Sequence, residues 1–159
     1  MTTQRTPDQE VSKGGEMQVE QFLEVKNFKR FEADLKSSKP FGKLDKGRGE
    51  SNYLNFGKDI KFVSTLEFLP GLGIRGKNYH KNKQEMMFIL EGKMEGFYWL
   101  PNNPNFFQKQ IHCKGDFITI FPGLTHAFEA IERTVAIELS PDTFDIEDTF
   151  YPNNMPEKV

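Results

Sequence analysis

The chain has 159 residues, enough for one domain with a full core and too few for two of ordinary size. Its 21 lysines and arginines face 23 aspartates and glutamates, a formal net charge of −2. That balance excludes a general electrostatic draw onto nucleic acid or an anionic membrane, and leaves small molecules or other proteins as the expected partners.

Cys113 is the single cysteine, so no intramolecular disulfide can form and a reducing compartment fits. In chain order, residues 1–16 are polar and without apolar periodicity, which predicts a flexible tail ahead of one domain over 17–159. The N-terminus lacks the apolar core of a secretory signal, and no run approaches the length of a membrane-spanning helix, so a soluble cytoplasmic protein is expected. Residues 17–25, "MQVEQFLEV", read as a strand or a short helical turn. The basic stretch over 28–50, "FKRFEADLKSSKPFGKLDKGRGE", reads as a short helix followed by a long loop; its lysines suit an anionic ligand or form a solvated face.

From about residue 52 to 150 the pattern becomes that of a barrel core. "DIKFVSTLEFLPG" places Ile60, Phe62, Ser64, Leu66 and Phe68 on one side and Lys61, Val63, Thr65 and Glu67 on the other, the period of a half-buried strand ending in a Pro-Gly turn. Further apolar runs follow in "EMMFILEG", "KMEGFYWL", "FFQKQIH", "FITIFP", "THAFEAI" and "TVAIELS", separated by turn chemistry in "PNNPN", "CKGD", "PGL" and "ER". Short strands at this spacing, with no long amphipathic helix among them, predict an all-β antiparallel barrel or sandwich. The 16 phenylalanines predict aromatic strand faces and agree with a homodimer.

The candidate chemistry rests on two of the three histidines, His80 and His126. Asn78 and His80 are two residues apart in "RGKNYHK", so on extended chain they point to one side. His126 follows the Pro-Gly turn of "FPGLTH" and shares a face with Phe128 and Ala130. His80 and His126, at corresponding ends of two strand pairs, can meet inside a small barrel. His112, beside Cys113 at a strand end, is expected to be exposed.

Over about residues 62–150 these residues resemble the cupin family, known by a glycine, a His-x-His pair, an acid and a second glycine, then by a glycine, a Pro-x-Gly turn, a histidine and an asparagine. His80, Glu85 and Gly92 stand at the spacings of the first motif, with Gly71 and Gly73 each one residue from its opening glycine. Gly115, Gly123 and His126 stand at those of the second. Asn78 replaces the first histidine, Phe121 the proline and Ala130 the asparagine, while Pro122 still stiffens the turn. "RGKNYHK" is also similar to the Arg-Gly-x-His-Ala-His-Lys signature of the nucleotide-sugar ketoisomerases, through Arg75, Gly76, His80 and Lys81. "ELSPDTFDIEDTFYP" is similar to their Ser-x-x-Tyr-Asp-x-x-Asp run, through Ser140, Phe144, Asp145 and Asp148 with one extra residue after the serine. The resemblance implies a double-stranded β-helix (jelly roll) and metal-free acid/base chemistry on a keto sugar.

Read for chemistry alone, His80 is an acid/base group beside a ketone, because imidazole titrates near neutrality. Arg75 would then neutralise a phosphate or polarise an oxygen, and Glu138, if its face of "TVAIELS" looks inward, would orient His80 or His126. Asn78, Lys81 and His126 complete the expected substrate-binding set. Taken with what the resemblance implies, the expectation is an isomerase or epimerase acting on a keto-sugar nucleotide or similar carbonyl compound, with no cofactor. One alternative takes His80, Glu85 and His126, with Asn78 as a weak fourth donor, as ligands of one iron, zinc, nickel or manganese ion in an oxygenase- or lyase-type cupin. The other is a cupin that binds a small molecule without catalysis.

Overall fold

The computed structural model describes residues 18–28, 33, 36–37, 41–45, 47, 49–157 and 159; the expected tail over 1–16 and most of the expected helix after Phe28 lie outside the described residues. The strands are β1 (Leu23–Asn27), β2 (Phe41–Asp45), β3 (Glu50–Leu54), β4 (Phe62–Phe68), β5 (Arg75–Asn78), β6 (Glu85–Glu91), β7 (Lys93–Leu100), β8 (Asn103–Cys113), β9 (Asp116–Ile120), β10 (Thr125–Ala130) and β11 (Thr134–Ser140). Short 3-10 turns lie at Val19–Gln21 and Ile146–Asp148, and no helix among the described residues is long and apolar enough to cross a membrane. The fold is all-β and antiparallel, as the alternation predicts.

Two sheets face each other. The larger runs β1-β9-β6-β11-β4 and the smaller β5-β10-β7-β8, while β2 and β3 form a separate hairpin. Where one expects a long loop up to Glu50, residues 41–45 and 50–54 pair instead, from Phe41 opposite Leu54 to Asp45 opposite Glu50. Lys43 lies 2.8 Å from Glu50, so one of the lysines expected to face an anion is paired within the protein; Lys114, from outside that stretch, lies 2.9 Å from the same carboxylate.

Period-two strands sort their side chains between two environments. Inward, Leu66, Phe68, Met87, Ile89, Met94, Tyr98, Ile118, Phe128 and Ala136 fill the barrel. The outer side of β6 and β9 is covered too: Met86, Phe88 and Phe117 pack with Phe28, and Phe41, Leu54 and Phe56 close over them. This two-sided burial explains why "EMMFIL" is a continuous apolar run rather than an alternating one.

His112 corrects an expectation. It is fully buried, opposite Met94 on the inward face of β8, with Nε2 2.7 Å from the Tyr98 hydroxyl. The physical reason is Gly96: a Cβ there would sit 2.5 Å from the Tyr98 hydroxyl and 2.8 Å from His112 Nε2, so the missing side chain makes room for the pair.

Candidate active site

One end of the barrel is polar. It is built by the ends of β5, β6, β10 and β11 and by the segment joining β5 to β6. Where β5 meets β10 the register shifts, so that His126 faces Asn78 while Ala127 faces Gly76. Lys77, the residue between, takes a left-handed φ of 66°, and Gly76 before it has φ 94°. A Cβ on Gly76 would come within 3.0 Å of the His126 carbonyl, so glycine is required for this close approach. The bulge sets Asn78 beside His80, with Asn78 Nδ2 3.4 Å from His80 Nε2.

Glu85, the first residue of β6, lies between the two histidines. Its Oε2 is 2.7 Å from His126 Nε2 and its Oε1 is 3.3 Å from His80 Nε2. Each imidazole is held from behind by a backbone carbonyl: His80 Nδ1 by that of Asp148 at 2.7 Å, and His126 Nδ1 by that of Leu124 at 3.1 Å. A carbonyl only accepts, so both Nδ1 atoms carry a proton and donate it. Both Nε2 atoms then aim at a carboxylate, and such a contact is attractive only with a proton or a cation between the two lone pairs.

Lys83 supplies positive charge to the same carboxylate. It is buried, and its ammonium lies 3.0 Å from Glu85 Oε1, 2.7 Å from Glu138 Oε1 and 4.9 Å from the centre of the Phe62 ring. Ser64 donates to the other Glu138 oxygen at 3.0 Å. Burial pushes the Glu85 carboxyl up, but His126, His80 and Lys83 together outweigh it and hold that carboxyl well below the usual carboxylate range. For His80 burial works downward, yet Glu85 and the Asp148 carbonyl raise its pKa above the ordinary imidazole value. Burial also works against the Lys83 charge, and the two glutamates overcome it, leaving its pKa raised.

The residues singled out in the sequence separate into two groups. His80, Glu85, His126 and Asn78 come together. Glu138 points inward, as one of its two expected orientations requires, and its bonds are to Lys83 and Ser64 rather than to an imidazole. Arg75 is exposed, donating to the Glu67 carbonyl at 2.6 Å and lying over the Phe68 ring at 4.8 Å. Lys81 lies over the Phe150 ring at 4.6 Å.

Sequence reading missed the roles of Lys83 and Asp148. The buried Asp148 carboxylate accepts from the main-chain N–H groups of Lys81, Asn82 and Lys83 at 2.9–3.2 Å, and so fixes the segment that carries His80. The signal available for Asp148 was its place in the C-terminal Asp-x-x-Asp run. Lys83 sits in the charged run "HKNKQE", which reads as a solvated face.

His80, Glu85 and His126 offer ligand atoms within 4.8 Å of one another, the group among the described residues with metal-site spacing. The carbonyl-held Nδ1 atoms suit a metal centre, because ligating histidines commonly donate their second N–H in this way. The ammonium 3.0 Å from the would-be ligand oxygen does not, since it places a fixed positive charge beside any cation bound there. The donors fit an ion and their immediate neighbour opposes it.

Among solved structures the chain is similar to a 3,4-ketoisomerase from Helicobacter canadensis, with a TM-score of 0.64 and 13% identity over 80% of this chain and 89% of that one. It is also similar to WlaRA, a TDP-fucose-3,4-ketoisomerase from Campylobacter jejuni, with a TM-score of 0.62 and 14% identity over 81% and 88% of the two chains. A third is a variant of the 3,4-ketoisomerase QdtA from Thermoanaerobacterium thermosaccharolyticum in complex with TDP-4-keto-6-deoxyglucose, with a TM-score of 0.61 and 16% identity over 80% and 86%. At these identities the likeness is one of fold. No curated protein matches the chain. The family model described as Cupin matches residues 50–143, more than half of the sequence and a span that includes His80, Glu85, His126 and Glu138, and by that measure the chain belongs to the cupin family.

Proposed function

We propose that this cupin is an acid/base isomerase or epimerase acting on a keto-sugar nucleotide or similar carbonyl compound, with His80 as the group that moves the proton. The observation that carries the reading is the hold on His80: Nδ1 is fixed by the Asp148 carbonyl, and Nε2 faces the acceptor Glu85 and the amide of Asn78. An imidazole gripped at one nitrogen can give and take a proton at the other without turning its ring. In the reaction, Nε2 of neutral His80 takes the proton from the carbinol carbon beside the ketone; the C–H electron pair forms the double bond of an enediolate and the carbonyl π pair moves onto its oxygen. Return of that proton to the former carbonyl carbon, as the carbinol hydroxyl proton passes to the enediolate oxygen, moves the ketone by one position; delivery of a solvent proton to the original carbon from the opposite face, with the carbonyl re-formed and His80 losing its proton to solvent, inverts it. Glu85 stabilises the imidazolium formed midway, and Asn78 offers an amide to a substrate oxygen. The likeness in fold to enzymes named as sugar 3,4-ketoisomerases supports the substrate class.

Incubation with TDP-4-keto-6-deoxyglucose in D2O tests this directly. Deuterium is expected at a carbon next to the ketone, and His80→Gln, which keeps polarity without titrating near neutrality, is expected to abolish the exchange while leaving nucleotide-sugar binding within a few-fold. Exchange undiminished in His80→Gln removes His80 from the proton transfer and sinks the reading; no binding and no exchange across a panel of keto-sugar nucleotides sinks it too and favours the non-catalytic cupin. A second reading, a metal-dependent cupin, draws on the convergence of His80, Glu85 and His126. In it those three residues would hold the ion, which would polarise a substrate oxygen.

A further inference from the structure

We propose that Lys83 is a built-in counter-cation: its ammonium group serves the His80–Glu85–His126 centre in place of a divalent ion, and it is the residue that keeps the centre working with protons. The inference rests on the acid/base reading above and gives it a structural cause.

Lys83 has the marks of a fixed structural charge rather than a surface side chain. Its residue is 7% exposed, and its ammonium has Glu85 at 3.0 Å, Glu138 at 2.7 Å and the face of Phe62 at 4.9 Å. Three N–H bonds thus meet two carboxylates and one ring, which satisfies the group on every side. Glu138 in turn has its second oxygen engaged by Ser64 at 3.0 Å, so the ammonium is anchored from β11, the strand hydrogen-bonded to the β6 that carries Glu85. Two partly buried carboxylates within bonding distance of one nitrogen call for a cation between them, and here the chain supplies its own.

A divalent ion held by His80, Glu85 and His126 would have to share Glu85 with that ammonium. In a buried setting, the repulsion between the two cations and the division of one carboxylate both lower affinity for the ion. Replacing the ammonium by an apolar side chain of similar length reverses the balance. Two carboxylates and two imidazoles with carbonyl-held Nδ1 atoms would then stand together without a compensating charge, and these are the donor types that recruit a first-row divalent metal.

The test is metal affinity rather than turnover. Untagged wild-type protein, Lys83→Met and Lys83→Arg are stripped with chelator and titrated with zinc and with manganese by calorimetry, with bound metal counted by elemental analysis. Lys83→Met is expected to take up one ion per chain about 10- to 100-fold more tightly than the wild type, the scale on which neighbours of a metal site act. Its melting temperature should rise on loading, and adding His126→Ala should abolish the gain. Lys83→Arg, which keeps a cation, is expected to behave as the wild type. If Lys83→Met does not fold without metal, refolding in zinc is expected to recover it, and failure to recover overturns the proposal. So does a Lys83→Met affinity no higher than wild type, or a gain that survives His126→Ala. These outcomes separate the two ideas: a metal-free wild type and an unimproved Lys83→Met refute the role of Lys83 alone, absence of exchange with keto sugars refutes the isomerase reading alone, and tight metal binding by the wild type refutes both.

Discussion

His80 and His112 are both buried, and their neighbours drive them in opposite directions. Burial pushes His112 down to about 4, with Asp116 restoring only part of the loss, because its Nε2 meets a neutral hydroxyl and no carboxylate touches its ring. His80 has Glu85 at 3.3 Å, which turns the effect of burial around and raises it. A group with a lowered folded pKa binds protons preferentially when unfolded, so His112 costs stability as pH falls from about 6.5 toward 4. A group with a raised folded pKa does the reverse, and the contribution of His80 is full below about 6.5 and lost as pH rises through its folded value. The first effect is of order 3 kcal/mol for a shift from 6.5 to about 4. His112→Gln, which can still bond Tyr98, is therefore expected to flatten the decline in unfolding free energy between pH 6.5 and 4, as followed by urea titration at each pH. An unchanged slope would assign the acid limb to other groups. The sequence concealed this residue because "IHC" looks like an exposed strand end; the signal lay in the alternation of β8, which puts Gln108, Gln110 and His112 on one face and the exposed Ile111 on the other. Lys83 was concealed more thoroughly, since its burial depends on Glu138, 55 residues away.

At the scale of elements, regular strands were legible and the pieces that complete the site were not. β4 alternates cleanly in sequence and in burial, and it pairs with β11 from Phe62 opposite Ser140 to Phe68 opposite Thr134. The turn between β6 and β7 was legible through Gly92, whose φ of 90° and lack of a Cβ admit the Arg133 carbonyl. The C-terminal segment carries no such period. It is a 3-10 turn whose cap, Asp145, accepts from the Glu147 N–H at 2.9 Å, followed by Phe150, which exchanges main-chain hydrogen bonds with Tyr79 at 2.9 and 3.0 Å. Together with the Asp148 carboxylate this segment clasps residues 79–83 from both sides. Asp148→Ala strands the N–H groups of Lys81, Asn82 and Lys83, of which that of the exposed Asn82 is most easily rehydrated, so a loss of about 2–3 kcal/mol is expected in urea unfolding. Turnover should fall further than stability explains, by roughly a hundredfold under conditions where the variant is fully folded, because the main-chain carbonyl that grips His80 loses its fixed place. A variant that loses stability but keeps its full rate would show that the clasp is structural only.

The molecule as a whole is layered. The five-stranded sheet has the barrel interior on one side and an aromatic layer on the other, where Phe28 packs its ring 4.6 Å from Phe41, 5.0 Å from Phe88 and 6.0 Å from Phe117. Trp99, the single tryptophan, lies on the outer face of the smaller sheet with Phe97 and Ala127, on the far side of the barrel from Phe28. Glu85 and Met87 line the interior while Met86 and Phe88 belong to the outer layer, so one strand, β6, links site and aromatic cover residue by residue. Such a strand cannot lose one side and keep the other in register. Phe28→Ala, at a fully buried ring, is expected to cost about 3–5 kcal/mol, a large share of the roughly 5–15 kcal/mol that holds a domain together. The loss should nevertheless appear as one transition, with Trp99 fluorescence and far-ultraviolet circular dichroism melting together, and hydrogen–deuterium exchange on the substrate should persist below that melt. A variant in which the circular dichroism falls before the Trp99 signal would show that the aromatic layer and the barrel are separate folding units, joined by β6 in space but not in stability.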